Sequence, residues 1–462
     1  MRYGVIAALF TSVALGALPL INQAQADTLE EALAAAYMGN PTLEASRAGL
    51  RARDEQVSQA KGGYRPSIEA TGSIGRSNTK QTSNFAGAPT QTDTTLTPKT
   101  GSLALVQPVF RGFQTVNEVK QAKNEVFAGR EELLSVQQDV LLQAATAYMD
   151  VIRDEAILEL NRNNVQVLTR QLEASQDRFR VGEITRTDVA QSEARLSGAV
   201  SERTRAEAAL TASRVAYNRI VGRMPGTLSY PDELPGLPAS EEAALEIALA
   251  EHPALNASRY NDKAAGYAVA AAKGGFMPEV SVRAEYRREW DTSNFIDEVE
   301  RKQVMAELRI PIYQAGVQSS AVRQARQLNS QRRLQVIEVE RQVTEGVRNS
   351  WEALREARAR IQSDEAQVRA NEIALEGVRQ EAAVGSRTTL DVLDAEQELL
   401  DARVSLTGAQ HDEAVATFQL LSSVGRLTAQ QLRLPVTYYD PARNYDDVSS
   451  QIYGWGIEDE QE

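Results

Sequence analysis

The sequence predicts an α+β membrane protein in which short strands feed very long helices, with the whole arrangement present twice along the chain. Three observations carry this expectation. First, two matched turns lie about 200 residues apart with the same valine-glycine to aspartate-valine spacing. They are Val181-Gly182-Glu183-Ile184-Thr185-Arg186-Thr187-Asp188-Val189 and Val384-Gly385-Ser386-Arg387-Thr388-Thr389-Leu390-Asp391-Val392. Second, proline is absent from Val109 to Met224 and again from Ile312 to Leu434, so each run can hold uninterrupted helices. Third, short runs of alternating apolar and polar residues precede each helical stretch, the pattern of strands with one apolar and one wet face.

Residues 1–26 read as an export signal: Arg2 is followed by an apolar run and by the small-x-small site Ala24-Gln25-Ala26. The run from Val5 to Leu18 is short for a membrane span, which takes about 20 residues. The formal charge over 462 residues is −13, and loss of Arg2 with the signal makes it one unit more negative. No basic stripe is available to neutralise phosphates, which argues against nucleic acid as a partner. With no cysteine, stability rests on packing and a lipid on an N-terminal cysteine is excluded. No later stretch has the length of a transmembrane helix, so membrane insertion would fall to strands.

Taken in order, Leu29 to Tyr37 forms an amphipathic helix that stops before Pro41, and a second helix runs to Lys61-Gly62-Gly63-Tyr64-Arg65-Pro66. The same arrangement returns at Ala243 to Leu249, His252-Pro253 and Lys273-Gly274-Gly275-Phe276-Met277-Pro278. The offset is about 212 residues here and about 203 at the turns, so the first copy carries roughly nine extra residues. They are assigned to Ser77–Thr100, a Ser/Thr/Asn/Gln-rich stretch that reads as a loop. The expected organisation is thus a first repeat over 27–230, a second over 231–434, and a tail over 435–462 that is either disordered or packed along the outside.

The strand runs alternate Ile68, Ala70, Gly72 and Ile74 with polar residues, and Val280, Val282, Ala284 and Tyr286 with Ser281, Arg283, Glu285 and Arg287. After a polar loop come Val304, Ala306, Leu308 and Ile310 against Gln303, Met305, Glu307 and Arg309; a fourth run, Ser102–Phe110, is more apolar throughout. A soluble hairpin with one buried face would show the same alternation. Tyr64, Phe110, Phe276 and Tyr313 favour the membrane, because they fall at strand–helix junctions where an interfacial aromatic girdle belongs. Four strands cannot close a barrel, since spanning barrels need about eight, so either several chains contribute to one barrel or the strands do not span.

In the helical bulk, Val119, Val126, Leu133, Val140 and Ala147 keep a seven-residue spacing, which resumes four positions on with Val151, Leu158, Val165, Leu172 and Phe179. Val322, Val336 and Val343 do the same with Asn329 interrupting, followed by Val347, Leu354, Ile361, Val368, Leu375 and Ala382. Heptads sustained this far imply left-handed coiled-coil packing. The stretch Gln114–Phe179 would extend about 100 Å.

Together these features resemble the TolC family of outer-membrane efflux and secretion channels, over nearly the whole stretch from Leu29 to about Leu434. The two turns, the two Lys-Gly-Gly-aromatic-x-Pro entries, and Gln107-Pro108-Val109-Phe110-Arg111-Gly112 mirrored by Ile310-Pro311-Ile312-Tyr313-Gln314-Ala315-Gly316 carry the resemblance. It implies a homotrimer whose four strands per chain make one twelve-stranded barrel in the outer-membrane lipid, continuing into a long periplasmic helical tunnel. The turns would be its distal tips, with Val181, Gly182, Val384 and Gly385 meeting a periplasmic adaptor that bridges to an inner-membrane ABC or RND-type transporter. By the same resemblance Arg387, Thr187 and Asp188 would latch the closed tip, and Asp391 and Asp394 would form cation-binding rings. Relatives often carry tyrosine at the position of Ala382, so a second hydrogen bond of the latch is missing here. Cargo, protein or drug, stays open, though the form of the second turn looks more like channels that also serve type I secretion.

Enzymatic chemistry finds no footing. The two histidines, His252 and His411, have no metal-ligand spacing and read as capping or solvated residues. Asp391 and Asp394 stand three apart without an acid/base partner of another type, and no glycine-rich phosphate loop is present, so no cofactor is expected. As bare residues the two aspartates also suit the positive end of a helix dipole. A periplasmic coiled-coil adaptor or structural protein without its own pore would share the signal and heptads, but not the charged-face strands and aromatic junctions.

Overall fold

The computed structural model describes residues 28–85, 87–231 and 234–454; the expected export signal lies outside them. Helices α1 (Leu29–Gly39) and α2 (Pro41–Lys61) lead into β1 (Ser67–Ile74), β2 (Ser77–Phe85), β3 (Ala88–Leu96) and β4 (Lys99–Arg111). The hairpin α3 (Gln114–Arg180) and α4 (Arg186–Val221) follows, then α5 (Glu241–Glu251) and α6 (Pro253–Gly274). Strands β5 (Glu279–Ser293) and β6 (Ile296–Arg309) precede a second hairpin, α7 (Val317–Ala383) and α8 (Thr389–Val424), and the tail forms α9 (Arg443–Ser449).

The short helices are set by their caps. Thr28 and Glu31 close a capping box on α1; Asn40 ends α1 and accepts the Thr42 N–H to start α2, with Pro41 in the first turn. In the second half Ser240 caps α5, and His252 caps α6 by accepting the Ala254 N–H on Nδ1 at 3.2 Å. Capping is the role expected of His252, and burial depresses its pKa.

Four strands form one antiparallel sheet in the order β1-β4-β5-β6, which leaves β1 and β6 as free edges within the chain. The register puts Ile68, Leu105, Ala284 and Val304 in one cross-strand row, flanked on the same face by Ala70, Leu103, Tyr286 and Lys302, whose ammonium lies over the Tyr286 ring. The opposite face carries Glu69, Ala104, Glu285 and Gln303 in one row and Thr71, Ser102, Arg287 and Arg301 in the next. The alternation seen along each run is therefore coherent across all four strands.

Two loop expectations are corrected. Ser77–Thr100 is not a loop: β2 and β3 pair as a separate antiparallel hairpin, and the described residues form six strands, four of them in the main sheet. Its residues are polar on both faces, as in the Thr79–Thr94 and Lys80–Asp93 pairs, so hydrophobic periodicity is blind to it while threonine still favours the extended backbone. The polar stretch between Arg287 and Gln303 is likewise strand for most of its length, with Arg288 paired to Glu298 across it and Lys302 to Glu300 beside it.

Strand gives way to helix through left-handed residues in both halves, Gly112 and Phe113 before α3, Ala315 and Gly316 before α7. Phe110 stacks edge-on against Phe113 at 5.1 Å, and Tyr64, Phe276 and Tyr313 are exposed at the neighbouring junctions. Helices α3 and α7 are each 67 residues long, and α4 and α8 each 36. At 1.5 Å per residue the long pair reach about 100 Å. Among the described residues no helix is long and apolar enough to cross a membrane.

The α3 stripe departs from its expected frame. Val126, Leu133, Val140 and Ala147 are buried, and the same column continues unshifted through Asp154, Asn161, Leu168 and Ser175. Val151 and Leu158 are buried beside it, whereas Val165 and Leu172 are half-buried and Phe179 is exposed. Polar residues hold the column because each is satisfied: Asp154 by Arg153, Asn161 by the Ile157 carbonyl, Ser175 by Ser192 of α4. A count of apolar heptads cannot register such positions. The main core joins α1–α4 to α8 through Leu141, Ala144, Tyr148, Tyr217, Phe418 and Leu421, and a second joins α5, α7 and α8.

The tail is packed along the outside. The Tyr439 N–H donates to the Tyr37 hydroxyl, Asn444 reaches Asp54, Lys61 donates to the Ser449 carbonyl, and Arg130 lies over the Tyr445 ring.

Gly112 and Gly274 meet backbone to backbone: a Cβ on Gly274 would stand 2.5 Å from the Gly112 carbonyl oxygen. Gly274→Ala should lower the thermal unfolding midpoint of the helical signal, by about 1–3 kcal/mol of overpacking. Gly49→Ala, on an exposed face of α2 with no neighbour within 4 Å, should raise it by about 0.5–1 kcal/mol. Equal shifts from the two would contradict the close crossing.

Candidate functional site

The hairpin tips are two copies of one piece of local chemistry. Helix α3 ends at Val181, and Gly182 takes φ +82° so that the Glu183 N–H can return to the Arg178 carbonyl at 2.9 Å. Helix α7 ends the same way at Val384, with Gly385 at φ +81° and the Ser386 N–H on the Glu381 carbonyl at 3.0 Å. Three residues past each glycine a threonine caps the next helix. Thr185 pairs reciprocally with Asp188, and Thr388 with Asp391, whose carboxylate accepts the Thr388 N–H and hydroxyl, both at 2.8 Å. Thr-x-x-Asp was legible in the sequence as a helix start, and it gives both aspartates a local duty.

These bonds hold both carboxyls below their ordinary range: the Thr185 hydroxyl and N–H act on Asp188, the Thr388 N–H and hydroxyl on Asp391. Arg387 donates from Nε to Glu381 at 2.9 Å, which raises its pKa further. No hydrogen bond or ion pair among the described residues joins Arg387 to Thr187 or Asp188 within the chain. Val181 and Val384, 73% and 81% exposed, stand at the apices, and Ala382 is half-buried one turn below.

Sequence reasoning missed Arg195. It sits on α4 and ion-pairs with Asp394 of α8, 199 residues away, tying the two tips together above a small apolar cluster of Leu168, Ala199 and Leu393. No local pattern signals a partner at that separation. Asp391 and Asp394 therefore differ in kind: one is held by its own turn, the other by the neighbouring hairpin. Among the described residues no group of acidic, histidine or cysteine side chains has the geometry of a metal site within the chain.

A paired-strand sheet continuous with two helical hairpins of this length, tipped by matched capped turns, defines a protein of strand-anchored helical hairpins. The outer membrane efflux protein family model matches residues 30–223 and 244–426, and the chain belongs to that family. It is 37% identical over 461 residues to the outer membrane efflux protein BepC of Brucella suis biovar 1 (strain 1330), covering 98% of each chain. It is 26% identical to the alkaline protease secretion protein AprF of Pseudomonas aeruginosa, over 75% of this chain and 74% of that one. Its fold is that of the CmeC outer membrane channel of Campylobacter jejuni, with a TM-score of 0.76 at 15% identity over 97% of this chain and 98% of that one. The resemblance read from the turns and strand entries thus holds, and the protein is an outer-membrane transport protein rather than an enzyme.

Because Asp391 is the capping partner of Thr388, the first turn of α8 should be pH-sensitive. A lowered carboxyl pKa contributes stability above the ordinary value of 3.8 and loses it as pH falls through the lowered one. Amide hydrogen exchange in Thr389–Val392 should therefore quicken in Asp391→Asn at neutral pH, and in the wild type only under strong acid. Unchanged exchange in the variant would contradict the capping assignment.

Proposed function

We propose that three copies pool their sheets into one twelve-stranded barrel that passively conducts cargo from an inner-membrane transporter and adaptor complex to the exterior. The observation that carries this reading is the four-stranded sheet itself. It has one apolar face, one charged face, two free edges, and direct continuity with the helical hairpins. Edge β6 of one copy pairing with edge β1 of the next would satisfy both edges and turn the charged face into a wet lumen. A periplasmic adaptor or structural protein would have no use for a membrane-facing sheet. The equal lengths of the paired helices support a duplicated unit, 27–230 and 231–434. The names of two relatives, an efflux protein and a protease secretion protein, support multidrug efflux and type I protein secretion as the candidate roles.

At the periplasmic end, Arg387, exposed and bonded to Glu381 at its own helix end, would reach Thr187 and Asp188 of a neighbouring copy and latch the tip. Asp391 and Asp394, one helical turn apart, become rings when three chains converge, and rings of carboxylates select cations. Arg195 tempers the outer of the two by neutralising Asp394. The apical pairs Val181-Gly182 and Val384-Gly385 offer the adaptor a matched apolar contact on each hairpin.

Single-channel recording in planar bilayers tests the gate. Arg387→Ser should raise conductance, and wild-type conductance in that variant would place the gate elsewhere. Asp391→Ala with Asp394→Ala should abolish block by divalent and trivalent cations. Arg195→Gln, which leaves both aspartates in place, should tighten that block by about two- to fivefold, the scale of an exposed ion pair. Docking is tested by Gly385→Trp, which denies the turn its left-handed glycine. The variant should lose adaptor binding in a pull-down while keeping its oligomeric state, and unchanged affinity would remove the tips as the docking surface.

A further inference from the structure

Away from the tips and strands, one titratable side chain is buried in the seam where the two hairpins meet. His411 of α8 is 8% exposed, not solvated. Its Nε2 lies 2.9 Å from Asp150 Oδ1 on α3, and its Nδ1 lies 3.0 Å from Asp412 Oδ1 on α8. A neutral imidazole has one N–H and one lone pair, so it can satisfy only one of two acceptor-only carboxylates; the other would face it lone pair to lone pair. Both contacts are hydrogen bonds only when the ring is an imidazolium.

The surroundings fit a positive ring. From α3, Asp150 also accepts from Arg153, which turns its Nε to the buried Asp154. Arg153 Nη1 stands 3.5 Å from His411 Nε2 and opposes the charge. From α7, Arg360 reaches Asp412 at 3.2 Å and Asp364, which in turn accepts from Ser405 of α8. Next along α8, Glu413 pairs with Arg358 of α7, and the Tyr230 hydroxyl donates to the Gln410 carbonyl. Taking Asp150, Asp154, Asp364 and Asp412 against Arg153 and Arg360, the acids outnumber the fixed cations, and the protonated ring makes up part of the deficit. Burial alone would lower the His411 pKa; the bonds to Asp150 and Asp412 outweigh it and raise the value above 6.5. For Asp150 burial is likewise outweighed, by His411 and Arg153, and its pKa falls below 3.8.

We propose that His411 is a proton-operated latch between the hairpins: as imidazolium it ties α8 to α3, and losing its proton frees α7–α8 to move against α3–α4. The bond it controls belongs to the α3–α8 seam, the principal contact between the two hairpins, in line with the apolar cluster of Ala144, Tyr148, Ala414 and Phe418. Arg195–Asp394 ties the same two hairpins at the tips, so the latched state is the one with the tips drawn together. A raised histidine pKa means the latch is fully formed below the ordinary imidazole value and is lost as pH rises through the raised one. On the acid side it persists until Asp150 protonates, below the usual carboxylate range.

The test uses the full chain reconstituted in lipid. Because the chain has no cysteine of its own, Glu183→Cys and Ser386→Cys place nitroxides on the two hairpin tips of one chain without background, and dilution with unlabelled chain confines the reading to distances within a chain. Tip-to-tip distances by pulsed electron resonance are read against pH alongside bilayer conductance; only the conductance arm rests on the channel reading. In the wild type, the distances should lengthen and conductance climb on the order of tenfold in a one-proton step above pH ~6.5, the scale of one charge-assisted bond per chain. His411→Gln should show no step and sit at the high-pH level; His411→Arg, permanently charged, should show no step and sit at the low-pH level. A flat or falling wild-type profile, or a step surviving in His411→Gln, overturns the proposal. A distance step without conductance at any pH would sink the conduit reading and leave the latch standing. Should His411→Gln fail to assemble, Asp150→Asn must move the midpoint to lower pH, and an unmoved midpoint is equally fatal.

Discussion

Backbone hydrogen bonding at the two edges of the sheet governs the rest of this structure. Strands β1 and β6 each leave a row of N–H and C=O groups without a partner in the chain. In water such edges invite uncontrolled pairing, and in lipid every unpaired group costs several kcal/mol. One chain has too few strands to close on itself, and in the proposed trimer its edges would be satisfied by copies of the same chain. In that ring the faces would sort themselves: the row of Ile68, Leu105, Ala284 and Val304 would turn to lipid, and that of Glu69, Glu285 and Gln303 to water. The helices follow, because each hairpin is fixed to the sheet through a left-handed turn at Gly112-Phe113 or Ala315-Gly316 and inherits the ring's symmetry.

Far from the membrane the chain uses a different kind of restraint. The upper part of the helical region is held by a large apolar core reaching from α1 to α8, and along α8 the His411 tie lies on the tip side of that core, beyond Ala414. Towards the tips apolar packing thins to the Leu168, Ala199 and Leu393 cluster, and exposed polar ties take over: Arg195–Asp394 between hairpins and Arg387–Glu381 within one. Exposed ion pairs are worth little each and are readily exchanged. That construction suits the proposed gate, an end that would be narrow at rest and part for cargo.

Much of this was legible before any coordinates. The stops before Pro41 and Pro253, proline-free runs, and the glycine turns at 182 and 385 are local signals, and each fixed an element within a residue or two. Period-2 alternation found β1, β5 and β6 because one face of each is apolar, and β4 showed as a run more apolar throughout. It failed for β2 and β3, where threonine and asparagine occupy both faces and no burial asymmetry exists to detect. Heptad counting failed partway along α3, where Asp154, Asn161 and Ser175 fill buried positions through hydrogen bonds. The same limit applies to the tips and the seam. Arg195 and Asp394, or Asp150 and His411, are joined only by the fold, and polar pairs separated by about 200 residues or more leave no periodic trace.

The account turns on edge-to-edge closure by three chains, and disulfide trapping reads it directly in a chain without native cysteines. One cysteine is placed along β1 between Ser67 and Ile74 and a second along β6 between Ile296 and Arg309, and pairs are scanned for oxidation in outer-membrane vesicles. Closure predicts that in-register pairs yield covalent dimers and trimers and nothing larger, with a native mass in mild detergent close to three protomers. Monomers that conduct without cross-linking, or an unbounded ladder of higher species, would contradict it.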